Sequence, residues 1–303
     1  MRRVALLVFP LTIGLATGCS DKEDAADDTT SEDGGDGTDG GDGADGGDGA
    51  DGGDGADGGD GADGGDGADG GDGADGGDDP ASDADEDGLT LEEEDALGTD
   101  PNDADSDGDG LEDGVEVDND SDPLNKFSWP GAGLWPDMSG DVVEDGTRFG
   151  IGEVMPDFTG DDQYGGEVSL YQFYGSVVLV DFSAGWCGPC QTVAAGAEAM
   201  WQEHREDGFV TIHAMIDDYR GSGAAGEGFR EDWSESYGLT FPVLGEGDIM
   251  DNALTGLYGA GIFENSIPFM ILLDKDMSID EAYTGSGTER TIESRVEALL
   301  AAD

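Results

Sequence analysis

Two cysteines separated by two residues offer the clearest chemistry in this sequence, in the run Trp186-Cys187-Gly188-Pro189-Cys190. At the start of a helix such a pair can close a short disulfide ring, and the unpaired backbone N–H groups there favour the thiolate of Cys187. Cys190 lies one helical turn further on, where it can attack a mixed disulfide formed by Cys187. The motif therefore predicts reversible exchange between a dithiol and a disulfide.

Two other uses of this cysteine pair stay open at this point. The first is a purely structural disulfide. The second is a zinc site, which needs four ligands and would have to combine Cys187 and Cys190 with the two histidines, His204 and His213. The sequence has no second cysteine pair, and the histidine spacing gives the zinc site no support.

The elements that must position the dithiol can be read from the hydrophobic pattern. Short apolar, β-branched runs predict buried strands at 177–183, 209–216 and 268–274. Helical stretches are expected near 188–206 and 227–237. One face of a C-terminal helix is marked by Ile292, Val296, Leu299 and Leu300. Strands alternating with helices predict an α/β sheet with helices on both faces, and the dithiol follows its first long strand.

With its surroundings, the cysteine motif resembles the thioredoxin superfamily, specifically the redoxin and TlpA/ResA-like branch found on bacterial lipoproteins. Residues 155–158, 168–170 and Gly175 resemble the entry hairpin of that family, and residues 241–244, 257–259 and 266–269 resemble its second half. The resemblance implies that residues 148–303 form a thioredoxin-like domain, with a central mixed β-sheet flanked by helices. It also implies a thiol–disulfide oxidoreductase that uses no organic cofactor.

The same resemblance assigns expected roles to three further residues. Asp181 occupies the place of a buried carboxylate that shuttles the proton of the second cysteine, and burial would raise its pKa towards working pH. Pro268 matches a cis-proline loop that faces the disulfide and presents backbone to a substrate peptide. Trp186 is expected to pack and shield at the rim. A strand-end aspartate and a trans proline on an edge strand are the alternatives for the first two.

The sequence departs from the family pattern near the dithiol. Val193 stands where several periplasmic relatives carry a glutamate, and Ala195 stands where thioredoxins usually carry a helix-kinking proline. The strand lysine that often partners the buried aspartate corresponds to His213. These differences affect the electron donor, the partner specificity and the tuning of pKa values, and they leave the dithiol itself intact.

Two acidic loops upstream have the spacing of calcium ligands. Each follows the pattern D-x-D-x-D-G-x5-E, in which alternate carboxylates point at a hard cation and the late glutamate closes the shell. The candidate ligands are Asp83, Asp85, Asp87 and Glu94 in the first loop, and Asp105, Asp107, Asp109 and Glu116 in the second. Only 22 residues separate the two first aspartates, so the flanking helices of an EF-hand are not expected.

The acidic loops resemble thrombospondin type 3 repeats, through residues 105–113 and the connector at 98–101. The resemblance implies structural Ca²⁺ in residues 80–125, where calcium would supply the folding energy of a self-repelling segment. The alternative is acidic linker with accidental spacing. Residues 126–147 are expected to be an irregular linker to the redoxin domain.

The N-terminus predicts export. Arg2 and Arg3 precede an apolar run that ends before Cys19, which indicates a signal peptide over residues 1–18. The run Ala16-Thr17-Gly18-Cys19 resembles a bacterial lipobox, which would make Cys19 the lipidation site. A plain signal peptide is the alternative. We expect an exported, membrane-anchored bacterial lipoprotein in the periplasm or on the cell surface.

The charge balance of the chain and a low-complexity repeat give two further expectations. The chain has 74 acidic and 11 basic residues, and the 148–303 region alone carries 28 acids and 7 bases, a net of −21. Nucleic acid is excluded as a partner because phosphate binding needs a basic footprint. Residues 19–79 contain seven copies of a Gly/Asp hexapeptide and predict a disordered acidic tether.

These observations predict a lipid-anchored thiol–disulfide oxidoreductase that works on substrate proteins with disulfides or thiols. The Gly-Pro pair between the cysteines is that of thioredoxin, whose potential is about −270 mV, so reduction is the predicted direction. A reductase outside the cytoplasm would need a membrane electron donor. The alternatives are a thiol peroxidase, which would need a lone peroxidatic cysteine, and a calcium-dependent surface or adhesion lipoprotein carrying a redoxin module.

Overall fold

The computed structural model describes residues 80–143, 146–221, 223 and 225–302. The predicted signal peptide, the lipidation site Cys19 and the 19–79 tether lie outside the described residues. Within the described ranges, no helix combines the length and the apolarity that crossing a bilayer requires.

A five-stranded mixed sheet forms the centre of the C-terminal half. Its strands are β3 (Val177–Ala184), β4 (Phe209–Asp217), β5 (Val243–Leu244), β6 (Phe269–Leu273) and β7 (Ile279–Thr284). The spatial order is β5-β4-β3-β6-β7, with β3, β4 and β5 parallel and with β6 antiparallel to both β3 and β7. A separate antiparallel hairpin of β1 (Thr159–Asp161) and β2 (Glu167–Ser169) precedes the sheet. The predicted fold class is confirmed.

Helices flank this sheet and follow the sequence expectation closely. The main ones are α3 (Gly188–His204), α4 (Glu227–Tyr237) and α6 (Glu289–Leu300). A π-helical stretch, Ile249–Leu254, leads directly into the short α5 (Thr255–Gly259). Val193 of α3 and Ile292 and Val296 of α6 share a buried cluster with Val177 and Leu179 of β3, so α3 and α6 cover the same face of the sheet.

Strand β3 carries Asp181 into the region beneath helix α3. The strand is buried along its whole length, and its alternate side chains point to opposite faces. Asp181 is in register with His213 on β4 and with Met270 on β6. A buried carboxyl group is thereby held at a fixed position in the central strand, between two neighbours on the same face.

The acidic segment folds into two loops, each followed by a short helix. These helices are α1 (Leu91–Leu97) and α2 (Asp113–Asp118). Helix α1 begins with a capping box, in which Thr90 accepts from the Glu93 N–H and Glu93 accepts from the Thr90 N–H at 2.9 Å. The spacing led us to expect no EF-hand helices; the structure has helices of seven and six residues, about two turns each, directly after the loops.

The segment between the acidic loops and the hairpin is irregular in backbone, and it also contributes to the main core. Trp129 is almost fully buried, with its ring centroid 5.6 Å from that of Phe173 and 5.8 Å from that of Trp201. Its carbonyl accepts a hydrogen bond from the Arg205 guanidinium. Trp135 is buried as well, and its indole N–H donates to Asp162 at 2.7 Å. Large aromatic burial thus ties residues 126–143 to the redoxin region.

Candidate active site and calcium loops

The dithiol sits at the first turn of α3, in the disulfide form. Cys187 is the N-cap residue of this helix, and the N–H of Cys190 donates to Cys187 Sγ at 3.2 Å. The two Cα atoms are 5.2 Å apart. A sulfur that accepts a backbone N–H at a helix N-terminus is stabilised as a thiolate once the disulfide opens. Cys190 is fully buried, whereas Cys187 keeps a small exposed fraction of 4%.

The proline loop, which directly precedes β6, faces the dithiol. The Ile267–Pro268 peptide bond is cis, as the resemblance implied. The carbonyl oxygen of Ile267 lies 3.8 Å from Cys187 Sγ. Backbone beside a reactive sulfur can pair with an extended peptide that brings its own cysteine to Cys187.

Trp186 lies on the rim of the site and is 54% exposed, so it packs less than we expected. Its indole N–H donates to Asp217 Oδ2 at 2.8 Å, which fixes the ring beside Cys187. An open cavity of about 370 Å³ begins there; besides Trp186 it is lined mainly by the apolar side chains of Ile216, Met250, Leu254, Tyr258, Phe263 and Ile267. This surface offers an apolar contact next to the sulfur.

Asp181 is buried on the α3 side of the sheet, and burial raises the pKa of its carboxyl to about 7. Ser183 donates to Asp181 Oδ2 at 2.9 Å, which opposes part of that rise. His213 Nε2 lies 3.6 Å from the same oxygen. Burial lowers the pKa of His213 to about 3, so its ring is neutral near pH 7.

Sequence reasoning missed two residues around this carboxyl. Ser183 follows Asp181 by two residues on the same strand face, a spacing that could have indicated it. Trp233 on α4 donates its indole N–H to His213 Nδ1 at 3.3 Å. Nothing in the local sequence signals that contact, because it depends on how α4 packs.

The zinc alternative is not assembled in the structure. The sulfurs of Cys187 and Cys190 are bonded to each other. His213 is placed against Asp181, and the His204 ring lies edge-on to Phe209 near the C-terminal end of α3.

The acidic loops gather carboxylates as calcium binding requires. One carboxylate oxygen from each of Asp83, Asp85 and Asp87 lies within 4.8 Å of the others, and the same holds for Asp105, Asp107 and Asp109. Glu94 and Glu116 are buried at these loops from α1 and α2. The structure therefore brings together three aspartates in each loop, and each glutamate lies close enough to aspartates of its own loop for their charges to raise its pKa.

The first aspartate of each loop shapes the backbone, and the later carboxylates are left with unpaired oxygens. Asp83 accepts the N–H of Glu86 at 2.8 Å, and Asp105 accepts the N–H of Gly108 at 2.9 Å. Within the two loops and the helices that follow them, buried carboxylate oxygens without a hydrogen-bond partner occur on Asp85, Glu94, Asp107, Asp109, Asp113 and Glu116. Calcium prefers six to eight oxygen ligands, so these residues fit the ion.

Burial, together with the crowding of like charges, explains the raised pKa values of these carboxyl groups. Burial and neighbouring aspartates raise the pKa of Glu94 to about 7 and that of Glu116 to about 8. The same causes raise the pKa of Asp107 to about 7. Buried carboxylates that repel each other are stabilised in their charged form by a divalent cation.

Asp113 belongs to this ligand cluster and was missed by the sequence analysis. It is fully buried at the start of α2, where Oδ1 accepts the N–H of Ser106 at 2.9 Å. Its charge raises the pKa of both Glu94 and Glu116, so it faces both loops. The signal was available, since Asp113 is the ninth residue counted from Asp105, where calcium loops often place a ligand.

Comparison with known proteins agrees with this geometry. Residues 151–282 match the family model described as AhpC/TSA family. The domain is a redoxin of the thioredoxin superfamily. Residues 83–104 and 105–126 match the bacterial TSP3 repeat, in two consecutive copies. The redoxin is thus preceded by a pair of repeats, each of which begins at the first aspartate of an acidic loop.

Similar curated proteins are named for the same chemistry. Thiol-disulfide oxidoreductase ResA of Geobacillus kaustophilus is 26% identical over 153 residues, which cover 50% of this chain and 80% of that protein. The Bacillus anthracis protein of the same name is 26% identical over 155 residues, covering 51% and 82%. Thioredoxin-like protein YneN of Bacillus subtilis is 25% identical over 146 residues, covering 48% and 78%. The redoxin is a thiol–disulfide oxidoreductase, as the dithiol predicted.

Solved structures of thiol–disulfide proteins also align with this half of the chain. A thiol:disulfide interchange protein from Bacteroides sp. is 25% identical with a TM-score of 0.40, covering 49% of this chain and 91% of that one. A secreted thiol-disulfide isomerase from Corynebacterium glutamicum is 19% identical with a TM-score of 0.42, covering 53% and 94%.

Proposed function

We propose that the chain is an exported, lipid-anchored thiol–disulfide oxidoreductase that reduces disulfides in substrate proteins outside the cytoplasm. The main support for this proposal is the geometry at the first turn of α3. There Cys187 Sγ accepts the Cys190 N–H and lies 3.8 Å from the Ile267 carbonyl oxygen of the cis-proline loop. This arrangement supplies a stabilised thiolate, a resolving cysteine one turn away and backbone for an incoming peptide.

In the proposed reaction, the Cys187 thiolate attacks one sulfur of a substrate disulfide, and the other substrate sulfur leaves as a thiolate that takes up a proton. Cys190 then loses its proton and attacks Cys187 Sγ in the mixed disulfide. The second substrate sulfur leaves as a thiol. Two electrons pass from the protein dithiol to the substrate, and the Cys187–Cys190 disulfide of the structure is the product state.

Asp181 is the proposed acceptor of the Cys190 proton. A carboxyl group with a pKa raised to about 7 is poised to accept and return a proton near neutral pH. Pro268 and Ile267 would position the substrate backbone, and Trp186 would contact residues next to the substrate cysteine. Reduction leaves the protein oxidised, so the cycle requires a membrane electron donor.

The N-terminal half would hold the enzyme at a distance from its membrane. Lipid on Cys19 provides the anchor, and the 60-residue tether spans roughly 45 Å as a glycine-rich coil. The TSP3 pair, folded around calcium, would follow as a compact spacer. This proposal draws support from the TSP3 match and from the buried unpaired carboxylate oxygens of the two loops.

An insulin-reduction assay tests the proposed function. The full-length protein is reduced and incubated with insulin, and the release of the insulin chains is followed over time. Wild type is expected to reduce insulin, Cys187→Ser to be inactive, and Cys190→Ser to accumulate a mixed disulfide at Cys187. Ala195→Ser, at an exposed position on the same helix, is the matched control. Unchanged insulin reduction by Cys187→Ser would overturn the proposal.

A second candidate function is calcium-dependent surface binding, with the redoxin as an attached module. The fully buried Glu94 and Glu116 at paired loops favour it, since they indicate a well-formed cation segment. Calcium-dependent binding of Cys187→Ser protein to cells or polymer would support this candidate. Loss of both calcium-dependent binding and disulfide exchange in the same variant would count against it.

A further inference from the structure

A cluster of metal-ligating side chains lies at the opposite end of α3 from the dithiol. Glu203 and His204 are in the last turn of α3, and Glu293 is on α6. One carboxylate oxygen of each glutamate and one ring nitrogen of His204 all lie within 4.8 Å of one another. The cluster therefore joins two helices that cover the same face of the sheet.

His204 is the buried member of this cluster, and its hydrogen-bonding capacity is unmet. The residue is only 8% exposed, and its Nε2 atom has no hydrogen-bond partner in the ranges that the structure describes. Its ring lies edge-on to Phe209 of β4, and it lines an open cavity of about 380 Å³. A buried polar atom without a partner destabilises a fold, so this imidazole calls for a ligand.

The surroundings of His204 favour a cation as that ligand. Asp207 and Glu297 line the same cavity, and no lysine or arginine is among its described lining residues. Neither Glu203 nor Glu293 forms an ion pair with a described basic residue. The C-terminal end of a helix also carries a partial negative charge, which attracts a cation.

Two basic side chains from this part of the chain already have partners of their own. The Arg205 guanidinium donates to the carbonyl oxygen of Trp129 and lies over the Trp201 ring, 5.2 Å from its centroid. Lys275 Nζ donates to the Ala302 carbonyl oxygen at 2.7 Å, at the end of α6. These contacts leave the carboxylates beside His204 without a protein counter-charge.

The donor set selects the class of ion. An imidazole nitrogen with two carboxylates suits a transition metal such as zinc, which binds nitrogen and carboxylate oxygen at about 2.0–2.2 Å. A small rotation of the glutamate side chains brings all three donors within that reach. Calcium prefers oxygen ligands alone, as in the two acidic loops. His204 thus distinguishes this cluster chemically from the calcium loops.

We propose that Glu203, His204 and Glu293 form a transition-metal site of the zinc type, which joins the C-terminal end of α3 to α6. Water completes the coordination of the ion. The inference goes beyond the proposed function, since neither the dithiol nor its substrate takes part. Folding brings these ligands together from distant parts of the sequence, so an ion bound here stabilises the folded redoxin.

Zinc binding to the oxidised full-length protein, produced without a histidine tag, tests this site. The Cys187–Cys190 disulfide and a Cys19→Ser substitution leave none of the three cysteines as a free thiol. Saturating calcium fills the acidic loops. Isothermal titration calorimetry with Zn²⁺ then measures stoichiometry and affinity. The chain has only two histidines, so ¹⁵N-histidine NMR observes each ring separately.

We expect one saturable zinc ion per chain, which shifts the ring signals of His204 and leaves those of the fully buried His213 in place. His204→Gln should abolish this binding. Glu203→Gln and Glu293→Gln should each weaken it by about tenfold or more, since even the loss of an outer-shell partner costs about 10–100-fold in affinity. Zinc should raise the melting temperature of the wild type and leave that of His204→Gln unchanged.

Glu206→Gln is the matched control, because it removes an exposed carboxylate close to the cluster in sequence. It should bind zinc with the wild-type affinity. If His204→Gln does not fold, the two glutamate variants and the NMR signature still decide the question.

Three outcomes would overturn the inference. The first is wild-type affinity in all the ligand variants that fold, and the second is a His204 ring whose signals do not respond to zinc. The third is equal weakening by Glu206→Gln and Glu293→Gln, which would show attraction to an acidic surface only. Insulin reduction needs the dithiol and zinc binding does not, so failure of one leaves the other intact.

Discussion

His213 Nε2 lies 3.6 Å from Asp181 Oδ2, and the two residues are directly paired across strands β3 and β4. Burial raises the pKa of Asp181 to about 7 and lowers the pKa of His213 to about 3. Burial opposes the charged form of each group, so between about pH 3 and pH 7 both are neutral. The lysine that often partners the buried aspartate in this family would carry a positive charge at the same position.

The neutral pair predicts two opposite slopes of stability with pH. Asp181 binds more protons folded than unfolded between about pH 4 and 7, so its contribution to stability falls as pH rises through that range. His213 binds fewer protons folded than unfolded between about pH 3 and 6.5, so its contribution rises. We therefore expect the two contributions to cancel largely in the wild type.

Single substitutions should expose each slope. As pH rises from 4 to 6.5, the free energy of unfolding of Asp181→Asn should increase relative to that of wild type, because only the His213 contribution remains. That of His213→Gln should decrease, because only the Asp181 contribution remains. Each change should be on the order of 4 kcal/mol across the range, from a pKa shift of about three units. Urea unfolding of the oxidised protein in saturating calcium, repeated across this pH range, measures these free energies of unfolding. If the variants show the same dependence on pH as the wild type, the two groups are not buried as a neutral pair.

Asp181→Asn should also separate the two chemical steps. The amide cannot accept the Cys190 proton, so we expect resolution of the mixed disulfide to slow by about 10² at pH 7. Attack by Cys187 on a substrate disulfide should keep its rate, because the Cys190 N–H that stabilises its thiolate is unchanged. Rapid acid quench and mass spectrometry follow both steps, and equal slowing of both would argue against a role confined to Cys190.

Calcium should stabilise the acidic loops through the residues that join them. Gly114 approaches the first loop so closely that an added Cβ would lie 2.1 Å from the Asp87 carbonyl oxygen. We expect Gly114→Ala and Asp113→Asn each to weaken calcium binding by about tenfold or more, and Asp103→Asn, an exposed carboxylate, to leave it unchanged. Isothermal titration calorimetry on the full-length protein provides the measurement, and full-affinity binding by both variants would contradict the assigned ligands.

Trp129 should behave as a core residue of the redoxin although the sequence places it in a linker. Its side chain is almost fully buried against Phe173 and Trp201. We expect Trp129→Ala to lower the free energy of unfolding of the redoxin by about 3–5 kcal/mol. Val143→Ala, at a side chain that is 87% exposed, should change it little. Equal stability of the two variants would make residues 126–143 a detachable connector.

The sequence was informative where one local pattern sufficed. The strands β3, β4 and β6 are continuous apolar runs, and their observed bounds differ from the predicted ones by one residue or less at each end. The dithiol and both acidic loops were identifiable because their spacing is short and fixed. Strand β7 was not predicted, because at the sheet edge its residues are mostly polar and partly exposed.

Features that depend on packing could not be predicted in this way. The Trp233–His213 hydrogen bond joins residues 20 positions apart and requires α4 to dock beside β4. One cavity is lined by Asp181, Thr211 and His213 only because β3, β4 and two helices pack around it. Burial of Trp129 likewise follows from long-range contacts, since the irregular chain around it has no periodic apolar pattern.

The reduction potential of the Cys187–Cys190 couple decides whether the protein acts as a reductase. Trp186 fluorescence of the full-length protein, equilibrated in dithiothreitol and glutathione buffers, would report it. We expect a two-electron transition at about −250 mV or below, close to the thioredoxin value. A potential near −120 mV would make the protein an oxidant of substrate thiols and contradict the reductase assignment, and a pair that does not titrate would contradict disulfide exchange altogether.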